Sequence, residues 1–190
     1  MSTPQEIRAK IAQKPIAIFG FGHRGHGVRA LAQRMGTDAT LFDEQELEGT
    51  RQAFSSADAH QHSVVIASPT FGPGHPWVLV ARAAGLEVFS EVDFAALYLT
   101  RGVYAVVGSY GKTTCAQLLA HTLSSVGRPA QAFGGPGPTL SGWLAQNLEA
   151  EPSTHLVLEL SLAEAKNLHH LRLEGLLWTN VADDTPPEDS

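Results

Sequence analysis

Val103-Tyr-Ala-Val-Val-Gly-Ser-Tyr-Gly-Lys-Thr-Thr114 is the stretch that decides the fold of this chain. Its five leading apolar residues read as a buried parallel strand that runs straight into a glycine-flanked turn. Beyond the turn, Cys115, Leu118, Leu119, Leu123 and Val126 recur at helical spacing, and Gly127 is placed to end the helix. A strand, a glycine turn and a helix in this order make a cradle for phosphate. The glycines let backbone N–H groups turn inward, and the helix N-terminus adds the positive end of its dipole. Gly108, Ser109, Tyr110, Gly111, Lys112, Thr113 and Thr114 are the expected cradle. Lys112 would reach the outer phosphates as a point charge, and Thr113 would place a hydroxyl on Mg²⁺. Longer loops of this type carry a glycine where Val106 stands, so this one is a short variant.

Such a cradle needs a carboxylate for its metal ion. His155-Leu-Val-Leu-Glu159 is an apolar strand that delivers Glu159 at its C-terminal end, where ligands sit in open parallel sheets. Further strands are expected at Ala130–Phe133 and Leu176–Val181. The same alternation precedes the loop. Strands are expected at Pro15–Phe19, Ala39–Phe42, Ser63–Ala67 and Leu86–Phe89, with helices over residues 25–35 and 76–84 between them. Alternation of this kind means parallel α/β sheets. The expected organisation is a Rossmann-like parallel sheet domain over residues 1–95 and a partial P-loop-type α/β domain over residues 101–190, joined near residues 94–101.

The first domain has its own glycine turn, Gly20-Phe-Gly-His-Arg-Gly25, between a strand and a helix. Asp43 ends the next strand about 20 residues later, where an acid that binds ribose belongs. Arg24, inside the turn, could face a diphosphate. Taken alone, these residues fit a dinucleotide site, or glycines that only allow tight packing of strand on helix.

The chain has 190 residues, 43% of them apolar and 17% charged, with a net charge of −6 and one cysteine. That composition is globular rather than disordered. It has no basic stripe for nucleic acid and no run of 18 apolar residues for a membrane. Met1 to Lys14 is polar and mixed in charge, unlike a secretory leader, and a single cysteine rules out a disulfide framework. A cytoplasmic protein that binds neither nucleic acid nor membrane is expected.

With both turns in view, the chain resembles the Mur ligases of peptidoglycan synthesis over nearly its whole length. The carrying stretches are Ile18–Gly25, Ala67-Ser-Pro-Thr-Phe-Gly-Pro-Gly-His-Pro76, Val107–Thr114, Leu158-Glu-Leu-Ser161 and Thr179-Asn-Val181. The short loop is itself a trait of that family. The resemblance implies that the first domain binds a UDP-sugar through Gly22, His23, Arg24, Asp43, Ser68 and Thr70. It implies that Gly108 to Thr114 hold ATP, that Thr113 and Glu159 hold Mg²⁺, and that Lys112 and Glu159 serve the chemistry. The implied reaction is ADP-forming: the substrate carboxylate is phosphorylated, and an amine attacks the acyl phosphate to give an amide. Within the family, the resemblance points to the branch that joins D-glutamate to UDP-N-acetylmuramoyl-L-alanine.

The chain also departs from the family. Tyr110 stands where the loop commonly has asparagine, Pro136 follows Gly134-Gly135 where asparagine is common, and Thr185 takes the place of a metal-binding histidine. A further domain that supplies the amino-acid site has no counterpart. The chain is therefore expected not to complete ligation alone, and an incomplete second sheet would leave an edge and apolar surface open to self-association. Two rival functions stand beside this one: a nucleotide-binding module without catalysis, and an NAD(P)-dependent oxidoreductase that uses Gly20–Gly25 and Asp43.

Other features are expected to be structural. None of the nine histidines pairs with cysteine or carboxylate at a metal-site spacing, so solvated or capping roles are expected for them. Cys115, Trp77, Trp143 and Trp178 are expected to pack. Glu149, Glu151 and the acidic stretch from Asp183 to Ser190 are expected to be solvated.

Overall fold

The computed structural model describes residues 2–148 and 153–181. Glu149, Glu151, Thr185 and the acidic stretch 183–190 lie outside the described residues. Two compact units form, each built on an all-parallel sheet.

The first unit begins with helix α1 (Pro4–Ile11), which is started by a reciprocal cap between Thr3 and Glu6 and buries Ile7 and Ile11. Next come β1 (Ile16–Phe19), α2 (His23–Arg34), β2 (Ala39–Phe42), β3 (Thr50–Arg51) and α3 (Ser56–Gln61). They are followed by β4 (Val65–Ala67), α4 (Pro76–Ala83), β5 (Val88–Phe89) and α5 (Glu91–Ala96). The strand order is β3-β2-β1-β4-β5. The order reverses direction beside β1, so a crevice opens at the C-terminal ends of β1 and β4. Both faces of β1 are buried, as a strand covered by helices on both sides requires. Ala17 and Phe19 pack with Phe42, Phe54, Val65 and Val78 on one side.

The second unit has β6 (Val103–Val107), α6 (Lys112–Ser125) and β7 (Ala130–Phe133). After these, helix α7 (Leu140–Asn147) belongs to the first unit, and β8 (His155–Leu160), α8 (Leu162–Lys166) and β9 (Leu173–Trp178) complete the second. The strand order is β7-β8-β6-β9, which puts β6 between β8 and the edge strand β9. Val106 sits opposite Glu159 in the β6–β8 register, so the phosphate-type loop and the carboxylate leave the sheet at the same end.

Chain order and packing differ. The first unit comprises Met1–Thr100, Thr139–Ala150 and Leu168–Leu171. Two buried acids account for these later segments. Glu91 accepts the backbone N–H of Ser141 at 2.6 Å, and its carbonyl accepts the Ser141 hydroxyl at 3.2 Å. Asp93, fully buried, accepts the amides of His169 and His170 at 3.0 and 2.8 Å. The stretch expected as a joint near residues 94–101 therefore begins inside a packed helix, α5, whose six residues are all buried.

Several smaller expectations are corrected. Helix α2 starts at His23 rather than Gly25, with Gly22 as its cap residue. On α6 the buried residues are Ala116 and Ala120, whereas Leu118 and Val126 are 61% and 67% exposed. The helix turns a narrow, small-residue face to the sheet, with Cys115, Leu119 and Leu123 at its margins. Strand β9 runs three residues earlier than Leu176–Val181 and ends at Trp178. Trp178 does not pack: it is 52% exposed, and Leu173, Leu176 and Leu177 on this edge strand are exposed as well. His60 lies in α3 and His62 caps its end, where His62 is buried beside Phe42 and Phe54.

Candidate functional site

In the second unit, β6 ends at Val107 and the chain turns through Gly108–Gly111 into α6. Gly108 has φ +142°, and a Cβ there would lie 2.1 Å from the Thr179 hydroxyl, so only glycine fits. No side chain caps the start of α6, and the first N–H groups of a helix have no partner within it. A long helix with an uncapped start beside a glycine loop is ready for an anion. Lys112 Nζ donates to the Ser109 carbonyl at 2.9 Å, so the ammonium is held over the loop.

The Thr113 hydroxyl donates to Glu159 Oε2 at 2.8 Å. These two oxygens line a cleft of about 150 Å³, bounded further by Gln117, Phe133, Gly134 and Gly137. Among the described residues, no group of three or more His, Cys, Asp or Glu could hold a metal ion. Thr113 and Glu159 nevertheless fit Mg²⁺. That ion prefers hard oxygen donors, keeps several waters, and is commonly held by one or two protein oxygens together with substrate phosphates.

In the first unit, the turn after β1 sits at the crevice. Gly25 packs directly on the Gly20 carbonyl: a Cβ there would lie 2.3 Å from that oxygen. The glycine thus lets α2 approach the strand end. Asp43 Oδ2 accepts the Phe21 N–H at 2.7 Å, and Oδ1 accepts the Gln45 N–H at 3.0 Å. Asp43 therefore holds the glycine turn itself, which the sequence had suggested only as a contact to ribose. Ser68 and Thr70 share a hydroxyl hydrogen bond at 2.8 Å beyond β4. Arg24, Gly20, Gly25 and Ser68 line one small hollow beneath the turn, while Gly22 and His23 are exposed above it. Five of the six expected sugar-nucleotide residues thus lie where the chain leaves β1 and β4, and Asp43, after β2, holds the β1 turn through the Phe21 N–H.

No family model matches the chain. Among curated proteins, it is 29% identical over 187 residues to the UDP-N-acetylmuramoylalanine–D-glutamate ligase of Bifidobacterium longum, covering 92% of this chain and 38% of that enzyme. It is 30% identical to the enzyme of that name from Mycobacterium avium, covering 90% and 37%. For that of Bacteroides fragilis, the figures are 28% identity with 90% and 40% covered. The chain resembles the amino-terminal portion of the Mur ligases. It spans about two fifths of the length of these relatives.

Two solved Mur-type ligases share the fold. One is the UDP-N-acetylmuramate:L-alanyl-gamma-D-glutamyl-meso-diaminopimelate ligase from Neisseria meningitides, with a TM-score of 0.57 and 19% identity over 90% of this chain and 62% of that one. The other is a murein peptide ligase from Psychrobacter arcticus, with a TM-score of 0.56 and 20% identity over 90% and 44%. The likeness is one of fold: this chain's two parallel α/β sheets are shared with those two ligases.

Beside the expected Mur-type residues, the structure adds partners to which the sequence assigned no role, although Thr179 and Asn180 lie in a stretch that carries the resemblance. Thr179 and Asn180 lie against the phosphate-type loop, and Gln117 lies one helical turn beyond Thr113 in the cleft. Their pairing spans some 70 residues of chain, which no local pattern reveals. His75, expected to be solvated or capping, caps α4 by accepting the Trp77 N–H at 3.2 Å and pairs with Glu44 at 3.1 Å. The Nδ1 lone pair is thereby used, so Nε2 carries the proton toward the carboxylate.

Proposed function

We propose that this chain carries the two nucleotide sites of an ADP-forming amide-bond ligase of peptidoglycan precursor synthesis. In that reading it joins D-glutamate to UDP-N-acetylmuramoyl-L-alanine. The observation that carries this reading is the Thr113–Glu159 contact at the mouth of the Gly108–Gly111 loop, in a chain similar to the amino-terminal part of such enzymes. The Gly20–Gly25 turn with Arg24, Asp43, Ser68 and Thr70 would take the UDP-sugar. Gly108 to Thr114 would take ATP, with Thr113 and Glu159 holding Mg²⁺.

The chemistry brings two anions together, a carboxylate and a triphosphate, so charge must be cancelled before transfer. The bound metal ion would supply most of that neutralisation. Lys112 swings from the Ser109 carbonyl to the outer phosphates and orients them. Glu159 fixes the hydroxyl of Thr113 and sets the position of the reacting phosphoryl group. The chain spans about two fifths of the length of these relatives, and in this reading it supplies the two nucleotide sites of the reaction. A cytoplasmic setting suits such substrates; among the described residues, no helix is long and apolar enough to cross a membrane.

One observation favours a second reading, a nucleotide-binding module without catalysis. The stretch Gly134-Gly135-Pro136-Gly137-Pro138, of which Gly134, Gly137 and Pro138 line the cleft, has no side-chain donor to hold a substrate carboxylate. Calorimetric titration with Mg–ATP and with UDP-N-acetylmuramoyl-L-alanine, followed by product assay in the presence of D-glutamate, tests both readings. Binding of both ligands supports the first. Nucleotide binding with no acyl phosphate formed, even when the remainder of a relative is supplied, favours the second.

A further inference from the structure

The loop in the second unit is held from two sides, and only one side belongs to the expected machinery. On the β8 side stands Glu159, bonded to Thr113. On the β9 side the holding is done by Thr179 and Asn180, which follow the last strand. Asn180 pairs with the peptide of Tyr110 through both ends of its amide: the Tyr110 N–H donates to Oδ1 at 3.0 Å, and Nδ2 donates to the Tyr110 carbonyl at 3.0 Å. The Asn180 carbonyl in turn accepts the Ser109 N–H at 3.2 Å and the Trp178 indole N–H at 3.1 Å. The Thr179 hydroxyl donates to the same Tyr110 carbonyl at 2.8 Å; its second contact, to the Val107 carbonyl at 3.3 Å, competes for that one proton.

The Tyr110 carbonyl therefore has both lone pairs filled by donors that follow β9. This matters for an anion site. A peptide carbonyl aimed into the loop would present negative charge to a phosphate, whereas one tied back to Asn180 and Thr179 leaves that space to Lys112 and the N–H groups at the start of α6. The fit is close as well as polar, since a Cβ on Gly108 would collide with Thr179 and approach the Asn180 carbonyl to 2.9 Å.

We infer that Asn180, with Thr179, is a positioning residue for the phosphate loop. Its amide holds the Tyr110 peptide in the one orientation that accepts a triphosphate, so order in edge strand β9 is transmitted to nucleotide affinity. This rests on the nucleotide reading of the loop and adds the residue that sets the loop's shape. It also explains how tyrosine is tolerated at this position. The loop is held through the backbone of residue 110, and its side chain, 66% exposed, takes no part.

The test compares wild-type protein with Asn180→Ala, read by Mg–ATP titration and by hydrogen exchange of single amides. Asn180→Ala is expected to bind Mg–ATP about tenfold more weakly or worse. The Ser109 and Tyr110 amides should exchange at least tenfold faster, while the amides of β6 keep their protection. If Asn180→Ala does not fold, Asn180→Asp replaces it: it keeps the acceptor for Tyr110 but turns the donor into a charge that repels the carbonyl, and the same losses are expected. A folded variant that binds within twofold of wild type, with unchanged exchange at Tyr110, overturns the inference. Failure of the nucleotide reading shows in the wild-type protein itself, which would then bind no Mg–ATP, and this role would fall with it.

Discussion

The hydroxyl of Thr113 donates to the Glu159 carboxylate at 2.8 Å, across 46 residues of chain. One residue opens α6, the other closes β8, and the β6–β8 pairing sets Val106 opposite Glu159 so that the two must meet. Neither needs the other for folding: a threonine can cap its own turn and an acid can face water. In the proposed reading, their meeting beside an uncapped helix start makes an oxygen pair for a cation that accompanies phosphates. Thr113→Val and Glu159→Gln should therefore weaken ATP binding in the presence of Mg²⁺ by about tenfold or more, and leave binding without the metal nearly unchanged. Titrations with and without Mg²⁺ separate the two cases. Equal losses under both conditions would assign the pair to packing.

Lys112 should matter more than either. Lys112→Ala removes the only cation of the loop and should abolish measurable Mg–ATP affinity without lowering thermal stability, since its bond to the Ser109 carbonyl is local. Unchanged affinity in a folded Lys112→Ala protein would sink the phosphate-loop assignment.

The backbone offers a sharper test at Gly108. Its φ of +142° and the 2.1 Å approach of the Thr179 hydroxyl leave no room for a methyl group. Gly108→Ala should cost about 1–3 kcal/mol of stability, read by denaturant unfolding, and should also disturb the loop. A neutral effect would mean that the turn is looser than its geometry.

In the first unit Asp43 has two duties, one seen and one proposed. Asp43→Ala frees the Phe21 and Gln45 N–H groups, and should weaken uridine-nucleotide binding while leaving ATP binding untouched. Parallel titrations with UDP and Mg–ATP check this. Equal losses for both ligands would mean that the substitution acts through global stability.

Much of this was legible in the sequence. The apolar runs at β1, β4, β6 and β8 are wholly or mostly buried, so they stand out without alternation, and the glycine turns after β1 and β6 mark the two candidate sites. What stayed hidden depends on distant partners. Glu91 and Asp93 make α5 look like a polar joint, yet each is buried because amides from Ser141, His169 and His170 come to meet it. Strand β9 was displaced by three residues because an edge strand exposed on both faces has no burial pattern to read. On α6 the expected face holds at Cys115, Leu119 and Leu123, which pack at the margins of Ala116 and Ala120, and fails at Leu118 and Val126, which point outward.

Acid sensitivity is expected at Glu87. Glu87 joins Lys10 at 2.9 Å and accepts the Ser2 N–H at 3.3 Å. Burial pushes its carboxyl upward, but the Lys10 and Ser2 donors outweigh that and hold it below the ordinary 4.5. A carboxyl depressed in the folded state stabilises above its ordinary value, and that contribution is lost as pH falls through the depressed one. Lys10→Ala should thus lower stability by about 0.5 kcal/mol at neutral pH. It should make no difference once the solution is acid enough to protonate Glu87 in both proteins. A gap that persists in acid would assign the effect to the lysine stem instead.

The most direct test of the account is calorimetric titration of the folded protein with UDP-N-acetylmuramoyl-L-alanine. The account predicts saturable binding with one site per chain, weakened in Asp43→Ala and unaffected in Lys112→Ala. A folded sample that takes up no UDP-N-acetylmuramoyl-L-alanine, or one that binds it equally well without Asp43, would contradict it.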